Sequence, residues 1–348
     1  MIFSAYEGGC DLKAAVLYKP GDIRVREEDT PEPGGGEVLI RIQACGVCGT
    51  DHSLFVGGFP ATYPVIIGHE FSGVVAAVGA GVKSLLPGDR VTVDPNRVCR
   101  RCDYCRMGSE HLCENLSSMG VHINGADAEY CVMPETNVYK IPENVSFEAA
   151  AFCEPLACAI RGIEMGHIRA GDTVLVLGAG GMGNLLTQLA LLAGAAHVIV
   201  SEPIGFRREK ALENGATHVI DPTKQEVDAE LRKIRRIGAD VVYEAAGNLK
   251  LQAAAVYYAR KGGTIVWFGC SPSDGRIDVN PYYINDFELK ISGSFNNPFA
   301  TARAVRLLAS QKVHVENLIS HHFPLQDYPK VFDTFGGPET LKLMVRMD

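Results

Sequence analysis

An unbroken apolar run at residues 173–177 leads directly into a glycine-rich turn and then into a helix-prone segment. Apolar runs without polar alternation are typical of strands that are buried on both faces of a parallel sheet. The turn has the pattern G-x-G-x-x-G, whose glycines allow a pyrophosphate to approach the backbone at the helix N-terminus. With a strand before it and a helix after it, the pattern predicts a dinucleotide-binding unit. The residues expected to bind the cofactor at this turn are Gly178, Gly180, Gly181, Met182 and Gly183.

The next strand of this unit indicates which dinucleotide is bound. Residues 197–201 read as a strand and end at Glu202, about 20 residues beyond the last glycine, where a carboxylate can hydrogen-bond the ribose hydroxyls of NAD. Arg207 follows on a helix-prone segment and could instead accept the 2′-phosphate of NADP. Because the Glu202 carboxylate would repel that phosphate, the sequence favours NAD over NADP. Glu202 and Arg207 are both expected in the cofactor site.

The two halves of the chain have different periodicities. Strand-like and helix-like runs alternate from residue 173 to a last strand-like run at residues 289–295, which predicts a doubly wound parallel sheet. In the first ~150 residues, runs such as residues 37–43 alternate with period two, as half-buried strands do. A chain of 348 residues is long enough for two domains. The predicted fold class is therefore an α/β domain combined with a mainly β domain.

Composition excludes several classes of partner. The 33 Lys and Arg residues against 41 Asp and Glu residues give a net charge of -8, which argues against nucleic acid or an anionic membrane. The N-terminal residues lack a basic start followed by an apolar core, and no apolar run reaches membrane-spanning length. The 11 cysteines do not form the even framework of a secreted protein. We therefore expect a cytoplasmic protein.

Four cysteines lie close together in the β-rich half, with the spacing C-x2-C-x2-C-x7-C. Four thiolates at such spacing can surround one Zn²⁺ as a tetrahedron that leaves no position for water, so the pattern predicts a structural zinc. The alternative is four free buried cysteines in a loop. The neighbouring arginines disfavour it, because they are too polar for a core segment and would offset the thiolate charge. The expected ligands are Cys99, Cys102, Cys105 and Cys113.

A second set of metal-binding side chains lies in residues 45–51 and 68–70. Sulfur combined with imidazole nitrogen suits zinc, and a catalytic zinc keeps three protein ligands and one open position. Taken alone, the two segments could equally contain a buried cysteine and a surface His–Glu pair. The candidate catalytic residues are Cys48, Thr50, Asp51, His69 and Glu70.

The candidate catalytic site, the four-cysteine segment and the glycine-rich dinucleotide turn occur in this chain together. In this combination they resemble the zinc-dependent medium-chain dehydrogenase/reductase family across residues 13–348. The resemblance implies a GroES-like, partly open β-barrel catalytic domain formed by residues 13–156 and 300–348. A Rossmann cofactor domain, residues 157–299, is then inserted between these parts, with the active site in the cleft. Residues 1–12 become an N-terminal extension without an assigned role. The resemblance also implies a homodimer or homotetramer, joined near residues 290–295.

Residues 152–156, FCEPL, resemble the polyol-dehydrogenase branch of that family. The match implies that Glu154 binds the catalytic zinc. A site that uses Cys153 or Cys158 instead stays open as an alternative. Glu70 and Glu154 can also exchange at the metal or share a water, so the sequence leaves open which of them is bonded at rest. The expected ligands of the catalytic zinc are Cys48, His69, Glu70 and Glu154.

The predicted reaction is the reversible oxidation of a secondary alcohol, a polyol or sugar alcohol, to a ketone, with hydride transfer to NAD. Zinc lowers the pKa of the substrate hydroxyl, and the Thr50 hydroxyl passes the proton outward. Asp51 either orients His69 or shapes the electrostatic field at the metal; the alternative is that it caps a local turn. Residues 293–298 resemble sorbitol- and arabitol-type enzymes, whereas residues 201–203 resemble microbial threonine dehydrogenases. Oxidation of L-threonine is therefore an alternative reaction.

Two further alternatives come from other classes of protein. A non-catalytic NAD-binding protein on the same fold, or a zinc-free quinone reductase of the wider family, would be expected to lack ligands of the open zinc site. This chain keeps a cysteine, a histidine and two glutamates there, which favours the zinc enzyme. His52 directly follows Asp51, whereas relatives often have a histidine two residues after the matching aspartate, so we assign His52 no proton-relay role.

Overall fold

The computed structural model describes residues 11–347, which divide into two compact units. Of the described residues, the first unit comprises residues 11–155, Thr301–Gln311 and residues 315–347; the second comprises Leu156–Ala300 and Lys312–His314. Residues 1–10 of the predicted extension lie outside the described part. The prediction that the extension reaches residue 12 is wrong, because the first strand begins at Asp11 and includes Leu12. Both residues pair with the next strand.

Short strands dominate the first unit, and strands alternate with helices in the second. The strands are β1 (Asp11–Lys19), β2 (Asp22–Asp29), β3 (Glu37–Val47), β4 (Val65–Ile66), β5 (Glu70–Val78), β6 (Arg90–Val93), β7 (Asn96–Arg97), β8 (Ser117–Ser118), β9 (Tyr130–Pro134), β10 (Val138–Lys140), β11 (Thr173–Leu177), β12 (His197–Ser201), β13 (His218–Ile220), β14 (Ala239–Glu244), β15 (Ala259–Trp267), β16 (Lys290–Gly293), β17 (Ile319–Pro324) and β18 (Lys342–Arg346). The α-helices are α1 (Gly49–Phe55), α2 (Asp103–Arg106), α3 (Phe147–Ala151), α4 (Cys153–Gly166), α5 (Gly181–Leu192), α6 (Gly205–Glu213), α7 (Val227–Ile234), α8 (Leu249–Tyr258), α9 (Pro281–Asp286), α10 (Thr301–Ala309) and α11 (Val331–Thr334). Short 3-10 helices cover Glu110–Leu112, Glu135–Asn137, Glu316–Leu318 and Leu325–Lys330.

A mixed sheet with the order β10-β6-β5-β3-β18-β17 forms the frame of the first unit, and β9 also pairs with β3. A three-stranded sheet, β2-β1-β4, accompanies it. Strand β3 is antiparallel to both of its neighbours, so that Gly46 lies opposite Glu70 of β5 and opposite Met344 of β18. Apolar side chains such as Val47, Leu54 and Leu343 fill the core. This arrangement confirms the predicted mainly β domain.

The second unit is organised around a six-stranded sheet with the order β13-β12-β11-β14-β15-β16, in which every neighbouring pair is parallel. This order is that of a doubly wound dinucleotide-binding fold. All five residues of β11 are buried, as its apolar run predicts. The predicted Rossmann-type sheet is therefore confirmed. No helix in the described part of the chain combines the length and the apolar character needed to cross a bilayer.

The glycine-rich turn connects β11 to α5. Gly178 has a φ of 104°, a backbone conformation that residues other than glycine rarely adopt. A Cβ on Gly183 would overlap the carbonyl oxygen of Gly178, so this glycine allows α5 to pack against the turn. A Cβ on Gly180, the N-cap of α5, would meet no atom within 4 Å. The backbone at Gly180 is thus open to a ligand, whereas the backbone at Gly183 is packed.

Replacing Gly183 by alanine should destabilise the second unit by about 1–3 kcal/mol, because the added methyl forces α5 away from the turn. Denaturant unfolding followed by circular dichroism measures this loss. Gly180→Ala is the matched control, since Gly180 has an ordinary φ of -66° and free space around it. Equal unfolding midpoints for the two variants would contradict the assignment of Gly183 to packing.

Candidate active site

Two neighbouring strands bring the candidate zinc ligands together. Strand β3 ends at Val47, directly before Cys48, and β5 begins at Glu70, directly after His69. Because the two strands are antiparallel and Gly46 lies opposite Glu70, the end of β3 lies beside the start of β5. One donor atom each from Cys48, His69 and Glu70 lies within 4.8 Å of the other two. Sulfur, nitrogen and oxygen donors therefore converge at one point, which is a donor set that fits zinc.

Asp51 has two contacts, one with each carboxylate oxygen. It is fully buried, and its Oδ2 accepts the backbone N–H of Cys48 at 2.8 Å, which caps helix α1. Its Oδ1 lies 3.4 Å from Nδ1 of His69, which leaves the other ring nitrogen for a metal. Burial lowers the pKa of His69, but the negative charge of Asp51 and Cys48 outweighs burial and raises it well above its usual value. The two roles considered for Asp51, turn cap and histidine partner, are thus geometrically compatible.

Two further side chains of α1 lie near the converging ligands in sequence. The Thr50 hydroxyl is half-buried and lies 3.7 Å from Sγ of Cys48. The ring of His52 is stacked on Phe335, with ring centroids 4.7 Å apart. Thr50 therefore contacts a candidate ligand, whereas His52 packs against an aromatic ring.

Lys342, the first residue of β18, is a member of this site that the sequence analysis missed. Its Nζ donates hydrogen bonds to Oε2 of Glu70 at 2.6 Å and to the carbonyl of Val47 at 3.3 Å. Burial disfavours its charge, but the negative charges of Glu70, Cys48 and Glu154 outweigh burial and raise the pKa of Lys342. In the sequence, the signal for this residue was a single lysine within an otherwise apolar strand-like run. Its partner lies 272 residues away in the chain, which no local pattern reveals.

Glu154 lies outside the group of three converging donors. It lies in the first turn of α4 and is 8% exposed, but it is not within 4.8 Å of all three converging donors. Cys153 is fully buried, and burial raises the pKa of its thiol to about 12. Within residues 11–347, neither Cys153 nor Cys158 belongs to a group of converging metal donors. The geometry therefore gives no support to a cysteine ligand from α4.

The four cysteines of the predicted structural zinc site converge in the first unit. Their sulfurs all lie within 4.8 Å of one another, and the Sγ atoms of Cys102 and Cys113 are 4.0 Å apart. Sulfurs at the corners of a zinc tetrahedron are about 3.8 Å apart when each Zn–S bond is about 2.3 Å. Backbone N–H groups of Arg101 and Cys102 lower the pKa of Cys99 to about 6, which favours the thiolate that binds metal. The residues therefore fit a closed four-sulfur zinc site.

Glu202 lies against the glycine-rich turn of the second unit. Its Oε2 accepts the N–H of Ala179 at 2.8 Å, and its Oε1 accepts the N–H of Ile204 at 3.0 Å. Arg208 donates to the main-chain carbonyl of Glu202 at 2.7 Å. Arg207 is half-buried on α6. The structure thus brings Glu202 to the turn that carries Gly178, Gly180, Gly181, Met182 and Gly183, and its carboxylate is already oriented by two backbone donors.

Two segments of the chain match models of known protein families. Residues 34–143 match the family model described as the alcohol dehydrogenase GroES-like domain. Residues 181–310 match the model described as zinc-binding dehydrogenase. The first match covers Cys48, His69 and the four-cysteine site, and the second begins in the glycine-rich turn.

Individual relatives match almost the whole chain. D-arabinitol dehydrogenase 1 of Uromyces fabae is 32% identical over 96% of this chain and 97% of its own length. L-threonine 3-dehydrogenase of Pyrococcus horikoshii is 36% identical over 96% of this chain and 98% of its own length. A crystal structure of a zinc-binding dehydrogenase from Sinorhizobium meliloti 1021, bound to NADP, is 39% identical with a TM-score of 0.95, covering 97% of this chain and 100% of that one. The chain therefore belongs to the zinc-dependent medium-chain dehydrogenase family.

Proposed function

We propose that this protein oxidises a secondary alcohol, a polyol or sugar alcohol, to a ketone and transfers the hydride to NAD. The observation that carries the proposal is the convergence of one sulfur, one nitrogen and one oxygen donor from Cys48, His69 and Glu70 within 4.8 Å. A mixed set of three donors suits a catalytic zinc, because such a zinc keeps a position for substrate. Glu154 is proposed as a second carboxylate that exchanges with Glu70 at the metal, so that only one of the two glutamates is bonded at a time and one position stays open.

The side chains around the donors have separate roles in this reaction. Bound zinc would act as a Lewis acid that lowers the pKa of the substrate hydroxyl, and the nicotinamide would accept the hydride. The Thr50 hydroxyl, 3.7 Å from Cys48 Sγ and half-exposed, takes up the released proton and passes it outward. Asp51 holds the His69 ring in one orientation from its buried position on α1.

The substrate class rests on the carboxylate of α4 and on the relatives. A glutamate at residue 154, in place of a cysteine ligand, supports the polyol branch, as does the similarity to D-arabinitol dehydrogenase 1. A second candidate is L-threonine, which the 36% identity to the Pyrococcus horikoshii enzyme favours. Both substrates carry a secondary hydroxyl beside another polar group.

A substrate panel separates these two candidates. Purified protein with NAD is offered polyols, sugar phosphates, cyclitols and L-threonine, and NADH formation is followed by absorbance. We expect turnover with at least one polyol or sugar alcohol at a higher kcat/KM than with L-threonine. Turnover of L-threonine alone would overturn the polyol proposal, and a lack of turnover with every secondary alcohol would overturn the proposed activity.

The preference for NAD over NADP depends on Glu202. Glu202 is 4% exposed, and its carboxylate is oriented by two backbone N–H groups and adjoins the glycine-rich turn. The crystal structure of the Sinorhizobium meliloti relative is bound to NADP, so the preference proposed for this chain is argued from Glu202 itself. A carboxylate at this position repels a 2′-phosphate and accepts hydrogen bonds from ribose hydroxyls, which supports NAD here.

Kinetics with the two cofactors tests this preference. We expect kcat/KM for NAD to exceed that for NADP by at least about tenfold, since one unfavourable charge contact near 1.4 kcal/mol has this effect. Glu202→Gln removes the charge but keeps the shape, so the ratio should fall towards one. Glu209→Gln, an exposed position on α6, is the control and should leave the ratio unchanged. A wild-type preference for NADP would contradict the role of Glu202.

Metal content tests the division between the two zinc sites. The wild-type protein should contain two zinc ions per chain. Cys48→Ala should retain one zinc, keep its fold and lose turnover, whereas Cys99→Ser should lose the other zinc and unfold at a lower temperature, because a structural zinc contributes folding free energy. Cys270→Ala changes an exposed cysteine outside both groups and should keep both metals. Full activity of Cys48→Ala would contradict the proposed centre.

Assembly and location complete the proposal. We propose a homodimer or homotetramer that is joined through β16, the strand at the edge of the parallel sheet. Phe295, just beyond that strand, is 54% exposed and could be covered by a second copy. A reducing, cytoplasmic location agrees with cysteines that converge as metal ligands.

A further inference from the structure

The proposed reaction assigns no role to the buried ion pair between Lys342 and Glu70. The two side chains are 8% and 2% exposed, and Nζ lies 2.6 Å from Oε2. Lys342 Nζ also donates to the carbonyl of Val47 and lies 5.9 Å from the ring centroid of Phe152. A buried ammonium with such partners is held in one place, at the edge of the candidate zinc centre.

The ion pair reaches across the strand that lies between its two partners. Lys342 begins β18 and Glu70 begins β5, with β3 hydrogen-bonded to both. Gly46 is the β3 residue opposite Glu70, and a Cβ on Gly46 would lie 2.6 Å from the same Oε2 that Lys342 binds. The absence of a side chain at Gly46 therefore leaves the space in which the lysine meets the carboxylate.

Glu70 consequently has two competing partners. Its carboxylate belongs to the donor group with Cys48 and His69, and it also bonds Lys342. A charge-assisted bond to an ammonium withdraws electron density from the carboxylate, and the ammonium repels a nearby cation. If Glu70 and Glu154 both bound zinc beside the sulfur and the imidazole, the tetrahedron would be full and substrate would have no position.

We propose that Lys342 is a positioning residue that restrains Glu70 and so keeps the zinc centre open to substrate. This inference rests on the proposed catalytic zinc. It assigns Lys342 an action through Glu70, with no contact to substrate. Without the ammonium, Glu70 is free to become a permanent metal ligand, which strengthens zinc binding and weakens turnover.

Zinc release from Lys342→Met tests the proposal. Methionine keeps the unbranched, apolar part of the side chain and removes the charge. We expect zinc to leave the catalytic site about 10- to 100-fold more slowly, the range in which partners of metal ligands act, while kcat falls by a similar factor. Release is followed with a chromogenic chelator, and Cys48→Ala identifies the phase that belongs to this site. The visible spectrum of the Co²⁺-substituted protein reports the added ligand without a need for activity.

A double-variant cycle separates this action from a general structural effect. Glu70→Gln/Lys342→Met removes both charges, so that no buried charge is left unpaired, and it should release zinc at the rate of Glu70→Gln alone. Arg346→Met is the matched control on the same strand. It breaks an ion pair with Glu148 whose arginine side chain is 48% exposed, and it should leave zinc release unchanged.

Three results would overturn the inference. These are faster zinc release from Lys342→Met, unchanged release, or a difference between the double variant and Glu70→Gln alone. If Lys342→Met does not fold, the comparison of the double variant with Glu70→Gln alone decides. A wild-type protein that carries only the zinc of the four-cysteine site would instead refute the proposed function, so the two failures are distinguishable.

Discussion

The antiparallel pairing of β3 with β5 and β18 is the constraint on which the candidate zinc centre depends. The end of β3 lies beside the starts of both neighbours, and each of the three strands has a polar or metal-binding side chain at that position. Cys48 follows β3, Glu70 opens β5, and Lys342 opens β18. A register shift of one residue would turn these side chains to the opposite face of the sheet and disperse the site.

The two candidate zinc sites differ in where their donors come from and in what holds those donors in place. The four-cysteine site takes all its donors from one short segment and has backbone N–H groups near its sulfurs. The mixed site is built across a sheet and carries two buried partners, Asp51 beside His69 and Lys342 beside Glu70. These partners hold the donor side chains in place where bulk water cannot do so. The closed four-cysteine site needs no such buried partners, because no substrate enters it.

The sequence predicts local features well and long-range contacts poorly. The strand–turn–helix at Gly178–Gly183 and the cysteine spacing are complete within short segments, so period and spacing alone identified them. The role of Lys342 was invisible because its partner belongs to another strand, and pairing between distant strands depends on the whole sheet. Two alternatives for Asp51 were open in the sequence, and the geometry accommodates both, since each of its carboxylate oxygens has a different neighbour. The start of β1 at Asp11 was missed because one charged and one apolar residue, Asp11 and Leu12, are too few to show a period.

The distance in sequence between β3 and β18 also has a consequence for biosynthesis. Lys342 Nζ donates a hydrogen bond to the carbonyl of Val47, and the two residues are separated by 295 positions in the chain. During translation the four-cysteine segment emerges with all its ligands and can take up zinc at once. Cys48, His69 and Glu70 emerge in the same period, but the lysine that restrains Glu70 is made only after the entire parallel-sheet unit. The nascent chain therefore passes through a stage in which the mixed donor set is present without its balancing cation.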